Sequence, residues 1–589
     1  MEAKNMASFS GIAYQGFWWF SSALAKILYG GKTSKLRDTL ETAGIRICPE
    51  AYLAMVSLIL IVSAAASAAF IWLTGFYPIA ITPIIVLLVG YALPGIKAQD
   101  RASKLDIEAP FMAAYISIMA TGGLSPYSSL KRLKSCELLP HTSKTAKYIE
   151  VDVLLKGLDP VAAIEKSAER TPSKEYKEFL LGYIHTLRAG GDVVHYLLTR
   201  TEIMFRDLAA KIRVFGERAA MLLESYVAIM ILGTLGISIV YLISIAFQGL
   251  WQGGFGPENF LLYSFILIPV ISMLFIYLSD LSSFQEPIYE TTPYKVFMTS
   301  LPIMMFLIFM MFLPYLLPEL ALVIPLVSQF KGFLTLITAA LGLEKGLEPS
   351  IGIGIALIAG TVPAAIAYGY YNRRRGRKIV GEVTNFLRDM TETRKTGASP
   401  EACIIQLSSR PYGALNKHLG IVARQIRWGQ PFRVVYETLK KRISSWFALI
   451  NLYLLVDAIE VGGGSPETLE TMARFGEMQS SLEKERMAAL RPLIIMPYVG
   501  STIMVFSTLI LVNFMRSIVT SIARATIPFT QILTIIVPAL VFQSYLMGIV
   551  TGKISTGNVS AGFRHAIILT LISILSIIFM CLFGLILPL

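Results

Sequence analysis

Residues 51–74 read AYLAMVSLILIVSAAASAAFIWLT, a run of 24 residues without a charge. About 20 predominantly apolar residues suffice to cross a bilayer as a helix, and in lipid a lone segment can satisfy its backbone only as a helix. A surface helix of this length would carry a polar face, and this one has none. The segment predicts a membrane span.

The same reading extends outward along the chain. A Gly75–Pro78 turn leads to a second apolar stretch near 78–96. Further spans are predicted near 226–247, 260–280, 296–317 and 350–371, then near 493–513, 527–550 and 565–587. That makes about nine. Hydrophobic residues form 54% of the 589-residue chain, charged residues only 15%, and the mean hydropathy is +0.62. An ordinary soluble protein is excluded. The first 50 residues lack a short apolar run ending at a small-residue site, so no cleavable signal peptide is expected.

Segment 319–343 (ELALVIPLVSQFKGFLTLITAALGL) is apolar enough to suggest a tenth span, but Gln329 and Lys331 sit at its midpoint. A central lysine costs about 2.5–3.5 kcal/mol on the insertion scale. Crossing here would also place Arg373, Arg374, Arg375, Arg377 and Lys378 outside the cell. The segment is therefore read as re-entrant or interfacial, on the outer face.

Topology follows from charge. The polar stretch 97–222 holds 19 Lys/Arg against 15 Asp/Glu, and 372–491 holds 20 against 12, together 39 of the 52 basic residues. The remaining loops carry few, which is the positive-inside pattern and explains the net charge of +13. The expected organisation is a cytoplasmic N-terminal segment (1–50), a transmembrane hairpin (51–96), a cytoplasmic domain (97–222) and a four-span region (226–371). A second cytoplasmic domain (372–491) and a three-span C-terminal region (493–589) follow.

The two polar stretches are copies. LRAGGDVVHYL at 187–197 matches IEVGGGSPETL at 459–469, pairing Gly190 and Gly191 with Gly462 and Gly463 at an offset of 272. The same offset pairs Gly157 with Gly429, Glu165 with Glu437 and Arg170 with Arg442. TGGLSPYSSL and TGASPEACII align at an offset of 274, pairing Gly123 with Gly397 and Pro126 with Pro400. An apolar span follows each copy, so the repeated unit includes membrane helices. Apolar positions at three- and four-residue spacing in 111–120, 161–169, 174–188, 383–395 and 446–461 predict helices. Ser125-Pro126, Asp159-Pro160, Thr171-Pro172, Ser399-Pro400 and Ser465-Pro466 each read as a cap before a first-turn proline. Each copy should be an all-α bundle of about six short helices.

This repeated unit, with its xxGGxxxxxL turn, resembles the type II secretion system F domain of polytopic inner-membrane components in type II secretion and type IV pilus machines. Two copies separated by about four spans resemble the archaeal branch, which includes the platform proteins of the archaellum and of archaeal adhesive pili. The resemblance implies a non-catalytic platform. Its cytoplasmic domains would dock a hexameric secretion ATPase, whose cycle would move pilin or archaellin-like subunits out of the bilayer into a filament. The first copy departs from the pattern, with Leu187-Arg188 where the second has Ile459-Glu460.

The residues agree with an absence of chemistry. There is no GxxxxGK[ST] phosphate loop, HExxH or GxSxG. His141, His185, His195, His418 and His565 are dispersed, as are Cys48, Cys136, Cys403 and Cys581, so no metal site, disulfide framework or cofactor is expected. The alternative is a secondary transporter with duplicated repeats, but such proteins place polar or broken helices at the bilayer midplane. The predicted spans are nearly bare of ionisable groups, with Glu224 and Asp280 at span ends. Acids are interspersed with the bases and aromatics are not interleaved among them, so no nucleic acid partner is expected. Arg373–Lys378 reads as a topology signal touching anionic lipid headgroups. Arg424, Arg427, Arg433, Lys440, Lys441 and Arg442, on segments predicted helical, form a candidate basic face for an acidic patch on the ATPase. The Gly–Gly turns read as helix punctuation or as contact loops. Monomer and homodimer both remain open.

Overall fold

A computed structural model describes residues 33–45, 47–74, 82–246, 255–282, 291–316, 325–343, 345–375, 379–518 and 529–583. These are almost entirely helical, and no strand occurs among them. A short helix α1 (Thr33–Ala43) precedes the span α2 (Pro49–Thr74). Helix α3 (Thr82–Thr121) then runs unbroken from the apolar stretch into the first polar one. Its start is the described part of the second expected span; residues 75–81 lie outside the described residues. Eight helical segments among the described residues are long and apolar enough to cross a membrane.

The first copy continues as α4 (Pro126–Leu133), α5 (Pro140–Lys156), α6 (Pro160–Arg170) and α7 (Lys174–Arg188). Helix α8 (Val193–Ala246) closes it, 54 residues long. The central membrane region holds α9 (Pro257–Ser282, through a π-helical turn at Tyr263–Leu267), α10 (Thr292–Met311), α11 (Pro325–Ala340) and α12 (Glu348–Arg375). The second copy comprises α13 (Ile379–Lys395), α14 (Pro400–Leu407), α15 (Asn416–Arg427), α16 (Phe432–Lys440), α17 (Trp446–Gly462) and α18 (Pro466–Leu490). A 3-10 turn joins α18 to α19 (Ile495–Ile518), and α20 (Phe529–Thr556) and α21 (Val559–Leu582) finish the chain.

Each copy thus contains six helices, but its last is not short. The run Val193–Ala246 and the run Pro466–Ile518 both carry the bundle directly into a span. Sequence reading had divided each into a polar domain end and a separate span.

Most expected caps form. Ser125 accepts from Ser128 N, Asp159 from Val161 N and Ala162 N, Ser399 from Ala402 N and Ser465 from Thr468 N. Thr171-Pro172 is the exception. Thr171 ends α6, and Ser173 caps α7 by accepting from Tyr176 N at 3.1 Å. Both residues are capping types, and the serine stands next to the first residue free to enter the helix.

Three glycines with positive φ recur in matching places: Gly123 and Gly397 (87° and 88°), Gly157 and Gly429 (64° and 74°), Gly190 and Gly463 (67° and 61°). The last pair departs from the sequence alignment by one residue, because Gly462 is still helical and the second copy spends an extra glycine, Gly464, on its turn. The first helix of each copy leads away from a span and the sixth returns to one. The connections after the first, third and fifth helices therefore lie at the membrane-distal end, and these three connections hold the left-handed glycines.

In the membrane, α20 is buried along most of its length and packs closely on α21. A Cβ on Gly552 would come within 2.1 Å of Gly562 backbone atoms. Asp280, at the end of α9, pairs with Lys553 of α20. Of the expected interfacial segment 319–343, residues 319–324 lie outside the described residues. The rest contains α11, whose 16 residues reach roughly 24 Å, short of a ~30 Å hydrocarbon layer. Leu334 of α11 packs with Met311 and Ile351, and Lys331 Nζ lies 5.3 Å from the Tyr315 ring centre. Residues 376–378 and the side chains of Arg373, Arg374 and Arg375 lie outside the described residues.

Candidate functional site

The two copies do not sit apart. One buried apolar cluster runs from Ala109 to Leu482 and draws on both. Its centre is Phe111 of α3, with ring centroids 4.7 Å from Trp446, 5.7 Å from Phe447 and 5.5 Å from Phe205. Phe205 in turn lies 5.9 Å from Phe475 of α18. The Trp446 indole N–H donates to Leu138 O at 2.8 Å across the seam.

Sequence explains why α17 is the helix at this seam. WFALINLYLLVDAIEVG is apolar all round, and a helix of that kind needs burial on every side. Helix α3 of the first copy supplies the extra cover. The equivalent α7, KEYKEFLLGYIHTLR, buries one face only and packs within its own copy. Three- and four-residue spacing in 446–461 predicts the helix, and its burial on nearly every side is what the structure adds.

A polar latch runs through this seam. Asp457 of α17 is 2% exposed. It accepts from the Tyr115 hydroxyl and from Arg132, whose Nη2 and Nε lie 2.8 and 3.3 Å from its two oxygens. Burial first, then the neighbouring Asp457 carboxylate, pushes the Tyr115 phenol far above its ordinary range. The hydrogen bond to Asp457 holds the Arg132 guanidinium charged. Glu460 lies 3.8 Å from Arg132 and 3.9 Å from Arg433. Lys440 pairs with Glu137, and Arg474 meets Glu202 at 2.6 Å. This network accounts for the departure between copies. Arg188 pairs with Glu165 inside the first copy at 2.5 Å, whereas Glu460 at the aligned position reaches across the seam.

A second device occurs in both copies. Buried Glu108 of α3 accepts from His141 N and Thr142 N, at 3.1 and 2.7 Å, at the start of α5. Glu382 of α13, at the 274 offset, accepts from Leu415 N at 3.0 Å just before α15. A carboxylate at a helix N-terminus satisfies orphan N–H groups and complements the dipole. Burial nevertheless pushes Glu108 up to about 7, while burial and nearby lysines push His141 down to about 4. The Glu108/Glu382 match was present in the sequence, but isolated glutamates at one offset do not stand out.

The candidate basic face divides. Arg424, Arg427 and Arg433 are exposed around the distal turn between α15 and α16. Lys440, Lys441 and Arg442 lie at the other end of α16, toward the membrane. Lys441 and Arg442 are past the helix end, and Lys440 is engaged by Glu137. The glycine turns come together at the distal end. A Cβ on Gly462 would lie 3.6 Å from Gly122, and Arg394 donates to Gly464 O, Gly463 O and Ala398 O at 2.9, 3.1 and 2.6 Å. Gly123 and Gly397 have no neighbour where a Cβ would be. Pro126 and Pro400 are themselves buried at the starts of α4 and α14, and Gly191 N–H donates back to Thr186 O. Among the described residues no group of three or more His, Cys, Asp or Glu side chains could hold a metal ion.

The sequence is similar, at 20% identity over 510 residues, to an uncharacterized protein of Methanocaldococcus jannaschii, covering 83% of this chain and 82% of the relative. No solved structure matches the chain. The sequence model of the family described as Type II secretion system (T2SS), protein F, matches residues 112–241 and again 386–512. Both matches run from the first helix of a bundle into the span that its sixth helix becomes. The chain therefore carries the domain of the type II secretion system F family twice.

Proposed function

We propose that the protein is the membrane platform of a type IV pilus-like machine, an archaellum or an adhesive or secretion filament. Both bundles face the cytoplasm, with 97–222 and 372–491 as the polar units, and their distal end docks a hexameric secretion ATPase. The family works with secretion ATPases and pilin subunits, and its proteins are non-catalytic. The observation that carries the reading is mechanical. Two helical runs, Val193–Ala246 without a break and Pro466–Ile518 through one 3-10 turn at Arg491–Ile494, connect the distal turns to the membrane, and they pack on each other at Gly216, whose Cβ would meet Ala489 Cβ at 2.7 Å. From Val193 to the apolar part of α8 is roughly 50 Å of continuous helix at 1.5 Å per residue. A push at the distal end is transmitted into the bilayer, and the shared core makes both copies move as one body. Pilin subunits would meet the membrane region.

The test uses the full chain in lipid nanodiscs and the secretion ATPase encoded with it. Saturable binding that weakens as salt rises is the expected result, because exposed charge pairs are screened. Absence of binding in every nucleotide state would remove the platform reading.

A further inference from the structure

Three side chains break the usual rule for extramembrane surfaces. Leu154 is 68% exposed, Leu155 79% and Trp428 79%. Leu154 and Leu155 stand just before Gly157, and Trp428 just before Gly429, the left-handed glycines that end the third helix of each copy. The residues differ, yet the same corner of both bundles carries unpartnered apolar bulk. Trp428 is held on fixed backbone, since its N–H closes α15 by donating to Arg424 O and Gln425 O, both at 3.2 Å. Val434, 48% exposed, stands just beyond the same turn.

Lipid is not the cover. Trp428 ends the 12-residue α15, whose start meets Glu382 eleven residues past the preceding span, so it stands roughly 35 Å of helix beyond that span. Charge identifies the occupant's chemistry instead. Between Asn416 and Arg442 the one acid is Glu437, and exposed Arg424 and Arg427 make no ion pair among the described residues. Tryptophan and arginine dominate the energetics of protein interfaces when a partner desolvates them.

We propose that these two corners are paired docking points for a soluble protein that presents apolar pockets rimmed by carboxylates. The occupant is the secretion ATPase, so the proposal rests on the platform reading, and it adds that apolar anchors rather than charge alone hold the contact. Each copy presents one anchor, Leu154–Leu155 or Trp428, on a rigid common body, and the basic rim at Trp428 orients the approach.

The test measures binding of the cognate secretion ATPase to the full chain in nanodiscs. Wild type is compared with Trp428→Ala, Trp428→Phe and the double variant Leu154→Ser/Leu155→Ser. All these side chains are exposed, so elution and melting of the variants should match wild type. The expected result is binding about ten- to thirtyfold weaker for Trp428→Ala and for the leucine pair, with Trp428→Phe retaining most of the affinity. If wild type binds and both disruptive variants bind equally well, the anchors are refuted and the platform reading stands. Weakening at one corner alone refutes the paired arrangement. If wild type itself does not bind, the platform reading fails and the proposal with it.

Discussion

Replacing Asp457 by alanine probes the joint between the two copies. The lost carboxylate leaves the Tyr115 hydroxyl, 1% exposed, without its acceptor. A stranded buried donor costs about 1–3 kcal/mol. The Arg132 side chain is 38% exposed and can rehydrate, so its part is roughly 0–1 kcal/mol. Together Asp457→Ala should cost about 1–4 kcal/mol. Arg132→Ala should be at least as damaging, because it leaves a buried carboxylate with only Tyr115 to donate, where a broken buried pair costs about 3–5 kcal/mol. The double variant should then resemble Asp457→Ala, so the coupling should be about as large as the Arg132→Ala cost itself, roughly 3–5 kcal/mol. Hydrogen exchange of amides in α17 and α3, with the full chain in nanodiscs, reads the local opening energy. A loss of about 2 kcal/mol accelerates exchange roughly thirtyfold. If the single effects add within about 0.5 kcal/mol, the latch is not an energetic link between the copies.

Trp446→Ala should cost about 3–5 kcal/mol and loosen both copies together, seen as faster exchange in α3 as well as α17. For Glu108 the sign is set by burial. Its pKa in the folded protein is raised to about 7, so the protonated form is favoured and stability is lost as pH rises from about 4.5 through 7. Glu108→Gln should flatten that part of the profile, and unchanged pH melting curves would contradict it. Gly552→Ala would drive a Cβ into Gly562 backbone and should disrupt the α20–α21 hairpin, read as loss of a monodisperse species in detergent. In a cysteine-free background, an impermeant thiol reagent applied from outside should label Lys345→Cys and spare Pro160→Cys and Gln430→Cys. The reverse pattern would invert the proposed topology.

Much of this architecture was legible in the sequence because it repeats. The Ser-Pro caps and the paired glycines at Gly123/Gly397 and Gly157/Gly429 are local signals, written within a few residues of the turns they make. What local signals omit is where a helix goes next. The run 193–246 changes from amphipathic to apolar without a break, so hydropathy sees two objects where the backbone makes one. The latch was hidden for another reason. Tyr115 and Asp457 are 342 positions apart, and nothing short-range distinguishes a buried bridging aspartate from a solvated one. The continuous apolar surface of α17 was the available clue, since one bundle alone cannot bury it. The same sharing of a core means that the second copy cut out alone would expose Trp446 and Phe447, so partner contacts must be measured on the whole chain. Arg424 and Lys440 are close in sequence but flank opposite ends of α16, which separates a basic cluster that looked single.

The platform account is tested most directly by ATP turnover. The chain has no phosphate loop, and its proposed role is to receive a partner's cycle at the distal turns. Turnover by the cognate secretion ATPase should rise when the full chain in nanodiscs is added, while the membrane protein alone turns over nothing. ATPase turnover indifferent to saturating membrane protein would contradict the account, as would hydrolysis by the lone protein that survives removal of contaminants.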